Sequence, residues 1–327
     1  MPNVSYLQAV REALFEEMRR DPNVIVMGED VGVMGGAFLA TEGLHKEFGA
    51  DRVIDTPISE ELIVGAGIGA ALAGLRPVVE MQFMDFISCG FDQIVNMAAT
   101  TRYRHGGRAR VPMVVRGPSG AGVRGALFHS QDPEAWFFRV PGLKVVAPAT
   151  AFDAKGLLKS AIRDDDPVIF FEHKRLYRRI KEEIPEGEVV VPLGKAATRR
   201  TGKDLLFVTY GGALEWSLEA AERLAQEDKV QVEVIDLRTL LPFDLEAILE
   251  AVRRINRVVL IQEDRLTGGI ASEISARIAE EAFDWLDAPI ARVASLDAPM
   301  PYHPAMEAYV LPNADKVVAR AREILAY

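Results

Sequence analysis

The residue whose position most suggests chemistry is Glu60, inside the stretch Asp55–Phe86, DTPISEELIVGAGIGAALAGLRPVVEMQFMDF. Glu60 and Glu61 precede a run without charge from Leu62 to Leu75. Acids in the first turn of a helix are favoured by its dipole, so a solvated helix start is one reading of Glu60. The run behind it supports another. A helix with no polar face is buried all round, and a carboxylate at its mouth is drawn toward low dielectric. Burial raises a carboxyl pKa, and a carboxyl near neutrality can share or trade a proton. Glu29 and Asp30 end the strand-like VIVMGED, Gln82 and Phe86 follow VVEMQF, and His129 lies in the glycine-rich loop GPSGAGVRGALFHSQDP. Ligands in parallel α/β sheets bind beyond the carboxyl ends of strands. Glu29, Glu60, Gln82, Phe86 and His129 could therefore line one crevice. Phe86 is a core residue or a flat surface for a heteroaromatic ring, and His129 is structural or catalytic.

A second motif shares this stretch. Gly65, Gly67 and Ala70 satisfy GxGxxA, the dinucleotide fingerprint, with LIV before them and Glu80 closing the next strand-like run. That makes a nicotinamide-dependent dehydrogenase the alternative. Against it, Pro57 and the acid pair read as a helix start, which would put the glycines inside the helix.

The elements around these residues alternate strand and helix, which predicts parallel sheets in an α/β fold with two doubly wound domains. The first unit spans 1–175. It opens with an amphipathic helix carrying Val4, Leu7, Val10, Leu14 and Met18. Thr41 is placed to cap the helix TEGLHKEF, and DFISCGFDQIVNMAATTRYR reads as one long helix. Charges and prolines dominate 176–203, read as a linker with a small hairpin around VVVPLGKA. The second, smaller unit spans 204–327.

Composition narrows the partners. The chain has 327 residues, a formal net charge of −10, 49% hydrophobic and 26% charged residues. That acidity argues against nucleic acid and anionic membranes. The single cysteine, Cys89, excludes an intrachain disulfide and a thiolate cluster for zinc. No apolar run reaches membrane-spanning length and the N-terminus lacks a secretory pattern, so the expected location is cytoplasmic. The sequence also lacks GxxxxGK[ST], GxSxG and a GDG…N diphosphate–magnesium motif.

DTPISE, GLRPVVEMQF, DQIVN, LFHSQDPEAW, PGLKVVAPATAFDAKGLLKSAIRDDDPVIFFE, VIDLRTLLPFD and LTGGIASEIS together resemble the β subunit of thiamine-diphosphate-dependent 2-oxo acid dehydrogenases, from about residue 3 to the C-terminus. The resemblance implies a transketolase-like pyrimidine-binding domain followed by a transketolase C-terminal-like domain. It implies oxidative decarboxylation of a 2-oxo acid and acyl transfer to lipoamide. EAWFF, FFEHKRLYR and LTGGIASEIS resemble the branched-chain type, with pyruvate as the alternative substrate. Glu60 matches the glutamate that protonates the cofactor's pyrimidine ring nitrogen, and Phe86 the aromatic stacked on that ring. Glu29, Ile58, Ser59 and Gln82 match the lining of the same half. His129 matches the histidine that steers acyl transfer. Backbone carbonyls of Met113, Ala161, Asp164 and Asp166 match a structural potassium site. The missing diphosphate–magnesium motif implies an α subunit that holds Mg2+ and the diphosphate, in an α2β2 heterotetramer. The further partners implied are the peripheral-binding and lipoyl domains of a dihydrolipoyl acyltransferase.

Overall fold

A computed structural model describes residues 3–327; residues 1 and 2, which open the expected first domain, lie outside the description. The chain divides into two units. The first runs up to Ser119 and resumes at Trp136–Leu193; the second comprises Gly120–Ala135 and Gly194–Tyr327. Most of the expected linker thus packs with the first unit, and the glycine-rich loop groups with the second.

The first unit contains β1 (Asn3–Ser5), α1 (Tyr6–Arg20), β2 (Val24–Gly28), α2 (Leu44–Phe48), β3 (Val53–Asp55), α3 (Glu60–Leu72), β4 (Arg76–Glu80), α4 (Ala99–Arg104) and β5 (Val114–Ser119). After α5 (Glu134–Phe138) it continues with β6 (Lys144–Val146), α6 (Ala151–Arg163), β7 (Val168–His173), α7 (Leu176–Arg179) and β8 (Lys181–Glu183). Within the unit the strands run in the order β6-β7-β5-β4-β2-β3, all parallel. Their near-continuous apolar composition follows from burial on both faces. Ser5 starts α1 through a capping box: its hydroxyl accepts from Gln8 N–H at 3.2 Å while its own N–H donates to Gln8 Oε1 at 2.9 Å. Leu7, Val10, Leu14 and Met18 of α1 are buried in one cluster with Ala154, Leu157, Leu158 and Ile162 of α6.

The second unit contains β9 (Ala197–Arg200), β10 (Leu205–Thr209), α8 (Ala213–Glu227), β11 (Val232–Asp236), β12 (Thr239–Leu241), α9 (Leu245–Ile255), β13 (Val258–Arg265), α10 (Ile270–Ala282), β14 (Ala291–Ser295), α11 (Pro304–Val310) and α12 (Ala314–Leu325). Its sheet is ordered β14-β13-β10-β11-β9, parallel except for the β11–β9 pair. No helix among the described residues is long and apolar enough to cross a membrane.

Four local expectations fail. Thr41 does not cap α2: Gly43 holds the cap position, and the Thr41 hydroxyl instead donates to Val31 O at 2.8 Å. VVVPLGKA forms no hairpin; β8 pairs antiparallel with β1, and β9 with β11. The segment 84–104 is not one regular helix. It passes through a 3-10 stretch (Met84–Gly90) and a π stretch (Gln93–Ala98) before α4, with Thr100 and Thr101 hydroxyls donating to the carbonyls of Asn96 and Met97. Finally, α3 is not enclosed by its own chain. Ile63, Val64, Gly67, Ile68 and Ala71 are buried, but Leu62 is 56% and Leu72 54% exposed, and Ala66 and Gly69 are exposed between them.

Candidate active site

The sheet of the first unit gathers charged side chains at both of its edges. At the carboxyl edge, β2 ends at Gly28 and β4 at Glu80, paired in register. A side chain at Gly28 would meet the Glu80 carbonyl at 2.7 Å, so this position admits only glycine. Glu29 follows directly. It is 6% exposed, and its Oε1 is buried with no hydrogen-bond partner among the described residues. Burial pushes the Glu29 carboxyl above its ordinary range, and the charges of Glu60 and Asp30 push it further. Glu60 is therefore close enough to be felt by Glu29, across the gap between β2 and the start of α3. Glu60 is half-buried, at the first position of its helix.

The other expected lining residues surround this pair. Gln82 donates from Nε2 to Asp30 Oδ2 at 3.3 Å. Asp30 adopts a left-handed backbone (φ 57°), which turns the chain sharply after Glu29. Phe86 is half-buried, its ring edge-on to Phe83 with centroids 6.4 Å apart. Phe83 packs on Phe38 in turn, at 5.5 Å. Ser59 is half-buried and Ile58 is 82% exposed. The structure thus brings Glu29, Glu60, Gln82 and Phe86 to one strand edge of the first unit. The GxGxxA glycines are elsewhere. Gly65, Gly67 and Ala70 lie within α3, where a side chain at Gly67 would collide with Val79 at 2.7 Å and Met113 at 2.8 Å. A dinucleotide fingerprint needs its first glycine in the strand-to-helix turn, so the dehydrogenase reading is overturned.

His129 is half-buried in the 120–135 segment. That segment is fastened within the second unit by two acids. Glu263 Oε1 accepts Ala121 N–H at 2.6 Å, and Glu307 Oε1 accepts Gly122 N–H at 3.0 Å and Arg124 N–H at 3.2 Å. Beside Ser130 and Asp132 a cavity of about 10 Å³ is lined by Glu263, Asp264 and Ser295. Burial raises the Asp264 carboxyl to about 6.

Sequence reading missed the floor of the carboxyl edge. Arg116 on β5 is fully buried between Glu172 on β7 and Glu80 on β4, with Nη2 at 2.6 Å from Glu172 Oε2. Tyr177 donates its hydroxyl to Glu172 Oε2 at 2.6 Å. One guanidinium thus serves two carboxylates, and burial pushes Glu80 above its ordinary range against the pull of Arg116. The available signal was a lone charge inside each of the apolar runs PVVE, VVRGPS and VIFFEH. A charge there needs a buried partner.

The set suits an aminopyrimidine. A buried carboxylate oxygen without a partner, a second acid at a helix start and an aromatic face offer the hydrogen-bonding and stacking groups such a ring takes.

Comparison with known proteins gives the family. Residues 3–180 match the family model of the transketolase pyrimidine-binding domain, and 194–317 that of the transketolase C-terminal domain. The chain is 52% identical over 328 residues to the 2-oxoisovalerate dehydrogenase subunit beta of Bacillus subtilis, covering all of both proteins. It is 45% identical over 327 residues to the pyruvate dehydrogenase E1 component subunit beta of the same organism, again over full lengths. Against the Rhizobium meliloti pyruvate dehydrogenase E1 component subunit beta it is 46% identical, covering 99% of this chain and 70% of that one. A solved structure described as a split-gene transketolase, inactive beta4 tetramer, superposes with a TM-score of 0.81 over 99% of both chains at 22% identity, which speaks to fold alone. The chain therefore belongs to the E1 β subunits of 2-oxo acid dehydrogenases, subunits that act together with an α subunit.

Proposed function

We propose that this chain supplies the pyrimidine half of a thiamine-diphosphate site for oxidative decarboxylation of a branched-chain 2-oxo acid. The acyl group passes to the lipoamide of a dihydrolipoyl acyltransferase. The observation that carries the reading is the Glu29–Glu60 pair at the carboxyl edge of the sheet, with a buried Glu29 oxygen lacking a hydrogen-bond partner among the described residues.

When bound, thiamine diphosphate supplies the carbon nucleophile and the electron sink that decarboxylation requires. Glu60 holds a proton at the pyrimidine ring nitrogen. Burial and the charges of Glu60 and Asp30 hold the Glu29 carboxyl above its ordinary range, which suits it to a shared hydrogen bond with the ring rather than to a salt bridge. Phe86 gives the ring a flat face to stack on. Ile58 and Ser59 lead into the helix that presents Glu60, and Gln82, by holding Asp30, keeps the Glu29 turn against β4. His129 directs acyl transfer. An α subunit holds the diphosphate and Mg2+ in an α2β2 heterotetramer, and the exposed apolar face of α3 is a subunit contact. The acidic chain suits a small basic peripheral-binding domain of the acyltransferase.

The identity of 52% to a 2-oxoisovalerate dehydrogenase subunit, against 45% and 46% to pyruvate dehydrogenase subunits, favours the branched-chain substrate over pyruvate. Steady-state decarboxylation by the reassembled α–β complex tests this, with 3-methyl-2-oxobutanoate and pyruvate side by side. The branched acid is expected to show kcat/KM higher by about 10-fold or more, the range that added methyl groups provide in an apolar pocket. A preference for pyruvate would reassign the substrate, and no thiamine-diphosphate-dependent turnover with either would remove the enzymatic reading.

A further inference from the structure

The four residues matched to a potassium site lie at the opposite, amino edge of the first sheet, and their surroundings do not fit the ion. Met113 precedes β5, while Ala161, Asp164 and Asp166 span the end of α6 and the approach to β7. The last carbonyls of a helix lack intrahelical partners and attract cations. Here a side chain already meets that need. Arg76, the first residue of β4, donates from one nitrogen, Nη1, to Asp164 O at 2.9 Å and to Ile162 O at 3.1 Å. Its Nη2 bonds Asp165 Oδ1 at 2.8 Å. The Met113 carbonyl accepts Val168 N–H at 2.9 Å, and Ala161 O accepts Asp164 N–H at 3.3 Å.

The charges point the same way. Lys144 grips the Asp164 carboxylate at 2.6 Å and reaches Asp166 at 3.5 Å. Arg102 pairs with Asp166, Arg110 with Asp165, and Arg76 with Asp21 at 3.8 Å. Four cationic side chains therefore face four carboxylates. No surplus negative charge is left to hold a monovalent cation, and a guanidinium stands against one of the carbonyls that would ligate it, that of Asp164.

We propose that Arg76 takes the place of the potassium ion in this chain. Its guanidinium ties the C-terminus of α6 to the start of β4, so this corner is built without a bound cation. Two measurements on the reassembled α–β complex test it. The first is thermal melting in potassium chloride and in choline chloride at equal ionic strength. The second is anomalous diffraction from crystals soaked in thallium(I), which mimics potassium. The wild-type complex is expected to melt at the same temperature in both salts, with no thallium peak at the Ala161 and Asp164 carbonyls. The Arg76→Ala complex is expected to melt lower in choline, to recover in potassium, and to take up thallium at that corner. A thallium peak there in the wild type would overturn the proposal, and that arm stands whether or not Arg76→Ala folds. An Arg76→Ala loss that potassium does not recover would also overturn it, by reducing Arg76 to an ordinary ion pair.

Discussion

The two edges of the first sheet treat their carboxylates in opposite ways. At the amino edge Asp164, Asp165 and Asp166 are each matched by Arg76, Arg102, Arg110 or Lys144. At the carboxyl edge Arg116 is consumed by Glu80 and Glu172 beneath the surface, and neither Glu29 nor Glu60 forms an ion pair among the described residues. A matched acid is an element of stability. An acid left near another acid, in partial burial, costs stability and is free to handle a proton. The difference is what the proposed function rests on: unmatched acids at one edge, matched ones at the other.

The comparison can be broken most forcefully through its buried floor. Replacing Arg116 by Met leaves Glu172 and Glu80 without their cation. Loss of one partner from a buried pair costs about 3–5 kcal/mol, so chemical denaturation should show a loss of that order, with soluble yield reduced. A loss below about 1 kcal/mol, the value of an exposed pair, would mean the floor is not the closed ionic cluster described here.

The two edges should also carry opposite pH signatures. The Glu29 carboxyl is raised above its unfolded value by burial and by Glu60. The folded state therefore binds this proton more tightly than the unfolded chain does, and stability is lost as pH rises through the folded pKa. Glu29→Gln removes that loss. The uncomplexed subunit carrying it should melt higher than wild type at neutral pH, while the α–β complex carrying it turns over more slowly. Asp165 is the reverse. A hydrogen bond from Arg76 lowers its pKa, with help from Arg110 and against some burial. Its contribution is present above the unfolded pKa and disappears as pH falls through the folded one. Asp165→Asn should flatten the acid limb of the melting profile and cost about 1 kcal/mol or less at neutral pH, because the pair is partly exposed. The same sign for both variants would erase the distinction between the edges.

Much of the carboxyl edge was legible in the sequence. Glu29, Gln82 and Phe86 follow apolar strand-like runs, and Glu60 follows a proline turn, so chain order alone puts them where α/β proteins bind ligands. A lone charge in each apolar run signalled that Arg116 needs a buried partner, but which partners was not legible, because they lie 36 and 56 residues away and meet only through the strand order β7-β5-β4. The loop carrying His129 looked like part of the first domain. Glu263 and Glu307, more than 140 residues further on, hold it in the second. The charge-free run of α3 predicted full enclosure, yet Leu62 and Leu72 are exposed. A composition records that a face is to be buried without recording which chain buries it.

The most direct test is Glu60→Gln in the reassembled α–β complex, read by steady-state decarboxylation alongside thermal melting and complex size. A positioned proton donor is worth about 100- to 10,000-fold in rate. Turnover should fall by that order while melting temperature and assembly stay as in wild type. Near-normal turnover would contradict the assignment of the carboxyl edge as the place where protons are moved.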